Sequence, residues 1–226
     1  MTLMILGFII GFLIPAVASR FGKVLPADPG RILKTLWHKP HFPKDSSVAR
    51  NRLFKAKWIR FGIRSLGWGL ILSILFGTSQ IFLSPDLAPY APIFITIVCL
   101  GIVVDAQYFL LPDFLTIPLL LSGFAVSLAA SALSPEASIA GAIFGYGVST
   151  LAGLMMRHPT SELGGGDVKM LTGMGAWLGI LGLNFTLVLS FLLFAAAATW
   201  LNRRSGAYGP ALGVAGLLSL FLVYWI

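Results

Sequence analysis

The sequence predicts an all-α, polytopic membrane protein with about eight transmembrane helices. Hydrophobic residues make up 57% of the 226 and charged residues only 11%, and the mean hydropathy is +0.90. A typical soluble domain carries about 25% charged residues. The apolar residues form long continuous runs without the period-2 alternation of a membrane β-barrel. Since a helix satisfies its backbone hydrogen bonds internally, such runs are expected to cross the bilayer as helices.

Eight apolar runs approach the length of about 20 residues that a membrane-spanning helix needs. They are Thr2–Ser19, Ser65–Leu83, Ala91–Val104, Phe114–Leu133, Ser138–Met156, Met170–Leu183, Asn184–Leu201 and Pro210–Ile226. The sixth and seventh runs meet at Gly182–Asn184 almost without a loop, which predicts a tight antiparallel helical hairpin. Cys99, the single cysteine, lies inside the third run, so no disulfide can form within the chain.

The positive charges predict how the chain is oriented in the membrane. Twelve of the sixteen Lys and Arg residues lie between Arg20 and Arg64. Because Lys and Arg near membrane helices stay on the cytoplasmic side, this segment is expected in the cytoplasm and the amino terminus outside. If the later spans alternate, the other four basic residues also fall inside; they are Arg157, Lys169, Arg203 and Arg204.

The first apolar run admits a second interpretation as a removable signal peptide. Ala16-Val17-Ala18 is typical of a small-residue cleavage site. No positive charge precedes the run, however, and Arg20 and Lys23 follow it, which favours a retained helix. We therefore divide the chain into a first transmembrane helix at 1–19, a basic cytoplasmic loop at 20–64 and a seven-helix membrane domain at 65–226.

The basic loop is expected to interact with membrane lipids. Each Lys or Arg near an anionic leaflet contributes about 1 kcal/mol of attraction, and Ala49–Arg64 can form an amphipathic interfacial helix. Nucleic-acid binding is not expected, because no nucleic-acid-binding fold accompanies the charge. His38 and His41 are separated by the helix-breaking Pro40 and have no cysteine nearby, so a metal site is not expected there.

Three aspartates lie at the predicted cytoplasmic ends of spans, where an ionisable side chain by default marks a functional site. Asp113 precedes the fourth span and is well placed to cap that helix, and Asp167 could cap the sixth span in the same way. Asp105 follows an apolar run and sits at a helix carboxyl end, where the helix dipole disfavours an anion. Asp105 therefore needs another explanation.

Two aspartates meeting at one rim of the membrane predict amide hydrolysis. Like-charge repulsion favours one shared proton, so that one carboxyl acts as an acid and the other as a base. The pair titrates as a unit, and the residues do not show which aspartate has which role. Gly164, Gly165 and Gly166 lack Cβ atoms and would let a substrate backbone approach closely. The glycine spacing fits neither a P-loop nor a dinucleotide-binding loop.

These residues resemble a known family. Gly164–Asp167 fits the GxGD motif of membrane aspartyl proteases. VVDAQYFLLPDFLTIPL at Val103–Leu119 and GGGDVKMLTGMGAWLG at Gly164–Gly179 resemble the two aspartate blocks of prepilin peptidases. YGPALGVAG at Tyr208–Gly216 is similar to that family's carboxyl-terminal Phe-Gly-Pro segment, and Gly11–Pro26 matches its first helix more loosely. The blocks follow in the family's order, and the two aspartates are 62 positions apart.

The resemblance implies an enzyme of the bacterial inner membrane whose active site faces the cytoplasm. Its partners would be type IV prepilins or type II secretion pseudopilins, from which it would cleave a short basic leader. Asp105 and Asp167 match the catalytic pair, whereas Asp113, Lys169 and Glu162 match neighbouring positions with supporting roles. The resemblance does not identify the particular prepilin or the oligomeric state.

The chain departs from the family's bifunctional members in one respect. Those members carry two Cys-x-x-Cys pairs that bind zinc in the first cytoplasmic loop, and they also methylate the new amino terminus with S-adenosylmethionine. Arg20–Arg64 contains no cysteine. We therefore expect no zinc and no other cofactor, and methylation of the product stays open.

Two other classes use similar residues. Presenilin-like proteases also carry GxGD, but they pair it with a Tyr-Asp motif, and here Val104 precedes Asp105. A proton-coupled transporter or channel would use intramembrane aspartates as a proton relay. Internal repeats would favour a transporter, and we find no convincing repeat between the two halves of the chain.

Overall fold

The computed structural model describes residues 1–21, 48–155, 165–200 and 206–225. Within these ranges the chain forms seven helices and one isolated β-bridge, between Leu83 and Trp225. The helices are α1 (Thr2–Phe21), α2 (Val48–Phe82), α3 (Ala91–Tyr108), α4 (Asp113–Ala129), α5 (Pro135–Met155), α6 (Gly165–Trp200) and α7 (Gly209–Val223). The predicted fold class is confirmed: the chain is an all-α, polytopic membrane protein.

Most of the helices are long and apolar enough to cross a membrane. Five segments of the described chain meet this criterion: Thr2–Arg20, Ile59–Phe82, Ala91–Tyr108, Pro135–Leu154 and Gly165–Trp200. The helices α4 and α7 are apolar but shorter, with 17 and 15 residues. Each of the eight predicted spans overlaps a helix, and α6 contains two of them. That all eight cross the bilayer stays a prediction.

The chain divides into two compact units, and the first comprises Met1–Gly77. In this unit α1 packs antiparallel to α2, since Gly7 lies against the backbone of Leu72 and Gly11 lies against that of Trp68. Glycine lets the two helix backbones approach closely, as is common between membrane helices.

The helix α2 corrects one boundary of the sequence analysis. Ala49–Arg64 was assigned to the loop at 20–64 as a separate interfacial helix, whereas α2 continues without interruption from Val48 to Phe82. The reason is that this stretch contains no proline, and a single helical glycine costs only about 1 kcal/mol. His38 and His41 lie outside the described residues.

The second unit, Thr78–Ile226, is built around α6. This helix packs against α4, α5 and α7, and α7 packs in turn against α3. Trp177 of α6 is buried, and its indole N–H donates to the carbonyl oxygen of Leu119 at 2.9 Å. The carbonyl oxygen of Trp177 accepts a 2.9 Å hydrogen bond from the Tyr224 hydroxyl. The ring centroid of Trp177 lies 5.4 Å from that of Phe94. Trp177 thus joins α3, α4, α6 and the end of α7.

The helix α6 turns sharply at Gly179. This residue has φ 63° and ψ −174°, a backbone conformation that is essentially restricted to glycine. Gly145 of α5 lies against both Leu171 and Leu183, which are on opposite sides of the turn. Twelve residues of straight helix would separate those two positions by about 18 Å. The chain after Gly179 therefore runs back alongside the chain before it.

This arrangement confirms the predicted helical hairpin and moves its turn. The turn lies at Gly179 and not at Gly182–Asn184, because helical hydrogen bonding continues through that segment. The Asn184 side-chain amide donates to the carbonyl oxygen of Ile180, and the Thr186 hydroxyl donates to that of Gly182. The Gly179 turn lies at the end of the second unit near Trp177 and Tyr224. The first turn of α6 lies at the other end.

Candidate active site

Asp105 lies in the last turn of α3 and is buried, with 6% of its surface exposed. The helix extends four residues beyond the predicted end at Val104 and ends at Tyr108, where the next residue, Phe109, adopts a left-handed conformation with φ 54°. Asp105 therefore lies at the carboxyl end of the helix, as expected, but within it. The N–H of Phe109 donates to the carbonyl oxygen of Asp105 at 2.9 Å. A positive φ is uncommon for a residue other than glycine. The chain therefore adopts an unusual backbone conformation one helical turn after Asp105.

The first residue of α7 provides the explanation that Asp105 needed. The buried N–H of Gly209 donates to Oδ2 of Asp105 at 2.9 Å. The amino-terminal N–H groups of a helix are unpaired within it, and the helix dipole is positive at this end. The unfavourable interaction of the Asp105 carboxylate with the carboxyl end of α3 is thus offset by its favourable interaction with the amino end of α7.

Asp167 lies in the first turn of α6 and is half-buried. Its carboxyl group is close enough to interact electrostatically with Asp105 and with Tyr208. The structure therefore brings together the two aspartates that the sequence singled out, one from the end of α3 and one from the start of α6.

Tyr208 is a neighbour of this pair that the sequence analysis did not assign. Its hydroxyl shares a 2.6 Å hydrogen bond with Ser190, and its ring packs edge-on against Phe194 with the ring centroids 5.5 Å apart. Burial raises the pKa of Tyr208, the bond with Ser190 lowers it, and the charge of Asp167 raises it. The net effect raises the pKa, so the hydroxyl keeps its proton at neutral pH.

The signal that pointed to this segment was the resemblance of Tyr208–Gly216 to a family block. That resemblance assigned no role to Tyr208 or Gly209. The contact with Asp105 comes from a backbone N–H, which every residue except proline carries. The donor group alone therefore did not identify Gly209 as the partner of Asp105.

Asp113 is not the helix cap that the sequence predicted. The capping position of α4 is occupied by Pro112, no side-chain capping bond is present, and Asp113 is the first helical residue. Its carboxylate instead forms an exposed ion pair with Lys169 of α6, 2.5 Å from Nζ to Oδ1. The prediction failed because the helix begins one residue earlier than expected. The carboxylate still lies in the first turn, where the helix dipole favours it.

The glycines before Asp167 differ in their surroundings. A Cβ atom on Gly166 would lie 2.8 Å from Cβ and 2.9 Å from the carbonyl oxygen of Leu111. Gly166 therefore lets the first turn of α6 pack directly on the loop between α3 and α4. A Cβ atom on Gly165 would meet nothing within 4 Å. Gly164 and Glu162 lie outside the described residues.

An apolar cavity of about 480 Å³ lies near Asp105. Its lining includes Ala106, Phe109, Phe194, Ala197, Pro210 and Val214. Ala106 follows Asp105 directly in the chain, and Pro210 follows Gly209. The cavity therefore begins one residue from each partner of the Asp105–Gly209 bond.

In the described part of the chain, no three His, Cys, Asp or Glu side chains cluster as metal ligands do. The expectation that the protein needs no metal stays a prediction, since residues 22–47 are not described.

Comparisons with known proteins converge on one family. The model of the type IV leader peptidase family matches residues 92–200. A prepilin leader peptidase/N-methyltransferase of Dickeya chrysanthemi is 36% identical over 140 residues, 56% of this chain and 50% of the relative. The chain thus spans about half the length of that curated relative.

Two further relatives carry the same name. One, from Escherichia coli (strain K12), is 32% identical over 156 residues, which are 62% of this chain and 69% of the relative. The other, from Pectobacterium carotovorum subsp. carotovorum, is 27% identical over 254 residues, 96% of this chain and 91% of the relative. No solved structure matches the chain.

Proposed function

The chain belongs to the type IV leader peptidase family, and we propose that it is a membrane aspartyl endopeptidase. Its substrates would be type IV prepilins or type II secretion pseudopilins, from which it removes the basic leader peptide. The observation that carries the proposal is the proximity of Asp105 and Asp167, which come from different helices of the second unit and interact electrostatically.

The proposed mechanism is direct attack of water on the scissile amide. One carboxylate takes a proton from the water as its oxygen bonds to the carbonyl carbon, and the other carboxyl donates its proton to the carbonyl oxygen. The tetrahedral intermediate then breaks its C–N bond, and the leaving nitrogen takes the proton that the base accepted. As the C=O bond re-forms, one hydroxyl of the intermediate returns its proton to the carboxylate that had acted as the acid. Both products leave, and the pair again holds one proton.

The surroundings of the dyad suit a substrate that is basic on one side of the scissile bond and apolar on the other. The charges of Lys169 and Asp113 neutralise each other, so the charge of the dyad is available to attract a basic leader. The apolar cavity beside Ala106 and Pro210 would accept apolar residues next to the cleaved bond.

We place the dyad at the cytoplasmic face of the bacterial inner membrane. The support is the concentration of Lys and Arg between Arg20 and Arg64, which the positive-inside rule assigns to the cytoplasm. Reporter fusions test this placement. A fusion after residue 160 should report the cytoplasm and one after residue 86 the opposite side; the reverse pattern would place the dyad outside.

The activity can be tested with purified protein in detergent and a synthetic prepilin that carries its leader. Mass spectrometry is expected to show loss of the leader with the parent chain and none with Asp105→Asn or Asp167→Asn. Asp86→Asn is the matched control, because Asp86 accepts a hydrogen bond from Ser131 and lies beyond the opposite end of α3. Cleavage at the parental rate by either dyad variant would remove that residue from the mechanism.

Two further measurements address methylation and the transporter hypothesis. Adding S-adenosylmethionine shows whether the mature pilin gains a methyl group, which the missing cysteine pairs leave open. If the parent chain cleaved no prepilin but made lipid vesicles leak protons in an Asp105-dependent way, the transporter hypothesis would replace the peptidase.

A further inference from the structure

We infer that Gly209 is the positioning residue of the dyad: its N–H holds Oδ2 of Asp105 and leaves Oδ1 as the oxygen available to water. The inference rests on the proposed function for its catalytic consequence. The hydrogen bond itself does not depend on which reaction the protein performs.

The backbone of Gly209 fits closely against the side chain of Asp105. A Cβ atom on residue 209 would lie 2.5 Å from Oδ2, 2.7 Å from Cγ and 2.8 Å from Cβ of Asp105. The entire carboxyl group is thus seated against the Gly209 backbone. Any other residue type at position 209 would push the Asp105 side chain away from the start of α7.

The position of Gly209 is itself constrained by the residues on either side of it. The preceding residue, Tyr208, is held by its hydrogen bond with Ser190 and by its ring contact with Phe194, both on the returning half of α6. The following residue, Pro210, has a restricted φ and no N–H. Gly209 is therefore both a held donor and the first donor of the α7 amino terminus.

Asp105 and Asp167 differ in burial and in hydrogen bonding. Asp105 is buried and hydrogen-bonded to Gly209, whereas Asp167 is half-buried and accepts no hydrogen bond from another described residue. Asp105 is the fixed member of the pair. The reacting atoms of a catalytic pair must be held closely, since a displacement of about 1 Å can cost about 100-fold in rate.

The kinetic test is Gly209→Ala with the prepilin cleavage assay. We expect kcat to fall by about 100-fold, while KM stays near the parental value because Gly209 itself does not line the apolar cavity. Gly147→Ala is the matched control, since a Cβ atom at that exposed position of α5 meets nothing within 4 Å. Parental kcat for Gly209→Ala, or a loss confined to KM, would overturn the positioning role.

A second measurement does not depend on cleavage and keeps Gly209 in place. In ¹⁵N-glycine-labelled protein in detergent, the amide proton resonance of Gly209 should lie downfield and move upfield in Asp105→Ala. Asp86→Ala should leave that resonance in place. An unchanged Gly209 resonance in Asp105→Ala would show that the bond is absent and would overturn the inference.

The two measurements separate the inference from the proposed function. If the parent chain cleaved no prepilin but the Gly209 resonance responded to Asp105→Ala, the positioning bond would stand and the peptidase proposal would be wrong. If Gly209→Ala failed to fold, the resonance measurement would still decide whether Gly209 holds Asp105.

Discussion

The ammonium nitrogen of Lys169 lies 2.5 Å from Oδ1 of Asp113, although the two residues are 56 positions apart in the chain. The pair joins the second turn of α6 to the first turn of α4. Lys169 lies two residues after Asp167, so the contact is close to Asp167 along α6. Both side chains are about half exposed, 50% for Lys169 and 57% for Asp113.

We expect this ion pair to contribute little to stability. Exposed pairs contribute about 0–1 kcal/mol, because water and salt screen the charges. A double-mutant cycle with Asp113→Asn and Lys169→Met, measured by thermal unfolding in detergent, should give a coupling of up to about 1 kcal/mol. The coupling should fall towards zero in about 1 M salt, where the Debye length is about 3 Å. A larger coupling that salt did not weaken would indicate a buried pair.

Gly166 and Gly165 should respond differently to the same substitution. Gly166→Ala places a methyl group against Leu111 and is expected to lower stability by about 1–3 kcal/mol, the usual cost of overpacking. It should also reduce prepilin cleavage, because the turn that carries Asp167 must shift. Gly165→Ala should unfold like the parent chain, since nothing lies within 4 Å of its added Cβ. Equal stability of the two variants would contradict the packing of Gly166 on Leu111.

Gly179→Ala should destabilise the second unit through its backbone. The φ of 63° and ψ of −174° belong to a region that costs side-chain-bearing residues about 1–3 kcal/mol. Denaturant unfolding in detergent measures the loss. Gly147→Ala, within a regular stretch of α5, should change stability by no more than about 1 kcal/mol, and in the stabilising direction. A Gly179→Ala variant as stable as the parent chain would place the turn elsewhere.

Ala197→Trp should obstruct the apolar cavity beside the dyad. If apolar residues of the substrate occupy that cavity, KM for prepilin should rise by about tenfold, which corresponds to about 1.4 kcal/mol. The neighbouring Ala196 is exposed and does not line the cavity, so Ala196→Trp is the matched control. Equal KM values for the two variants would show that the substrate does not use the cavity.

The positions of the helices could be predicted from the sequence because their signal is local. A long apolar run that is surrounded by hydrocarbon can satisfy its backbone only as a helix, whatever its neighbours are. The hairpin was recognisable for the same reason, since two spans met without a loop. The residue at its turn was not recognisable, because Gly182 was as plausible a turn glycine as Gly179. The structure places the turn at Gly179, which has the non-helical backbone angles, and keeps Gly182 within regular helix.

The role of Asp113 shows the limit of reading a helix start from the chain. Capping depends on the conformation of a single residue, and the boundary moved by one position. Whether the Asp113 carboxylate contacts solvent, a backbone N–H or a cation depends on the position of α6 relative to α4. Lys169 is 56 positions away, and only the packing of α4 on α6 brings it to Asp113.

The sequence by itself determined that this protein is an all-α membrane protein and that Asp105 and Asp167 lie at the ends of apolar segments, because apolar length and the cost of an intramembrane charge are properties of each segment alone. The tertiary structure decided what holds Asp105. The Gly209 N–H reaches Asp105 across 104 positions, through a backbone group common to all residues but proline. No residue-type pattern predicts such a contact, since it exists only once α7 has packed against the end of α3.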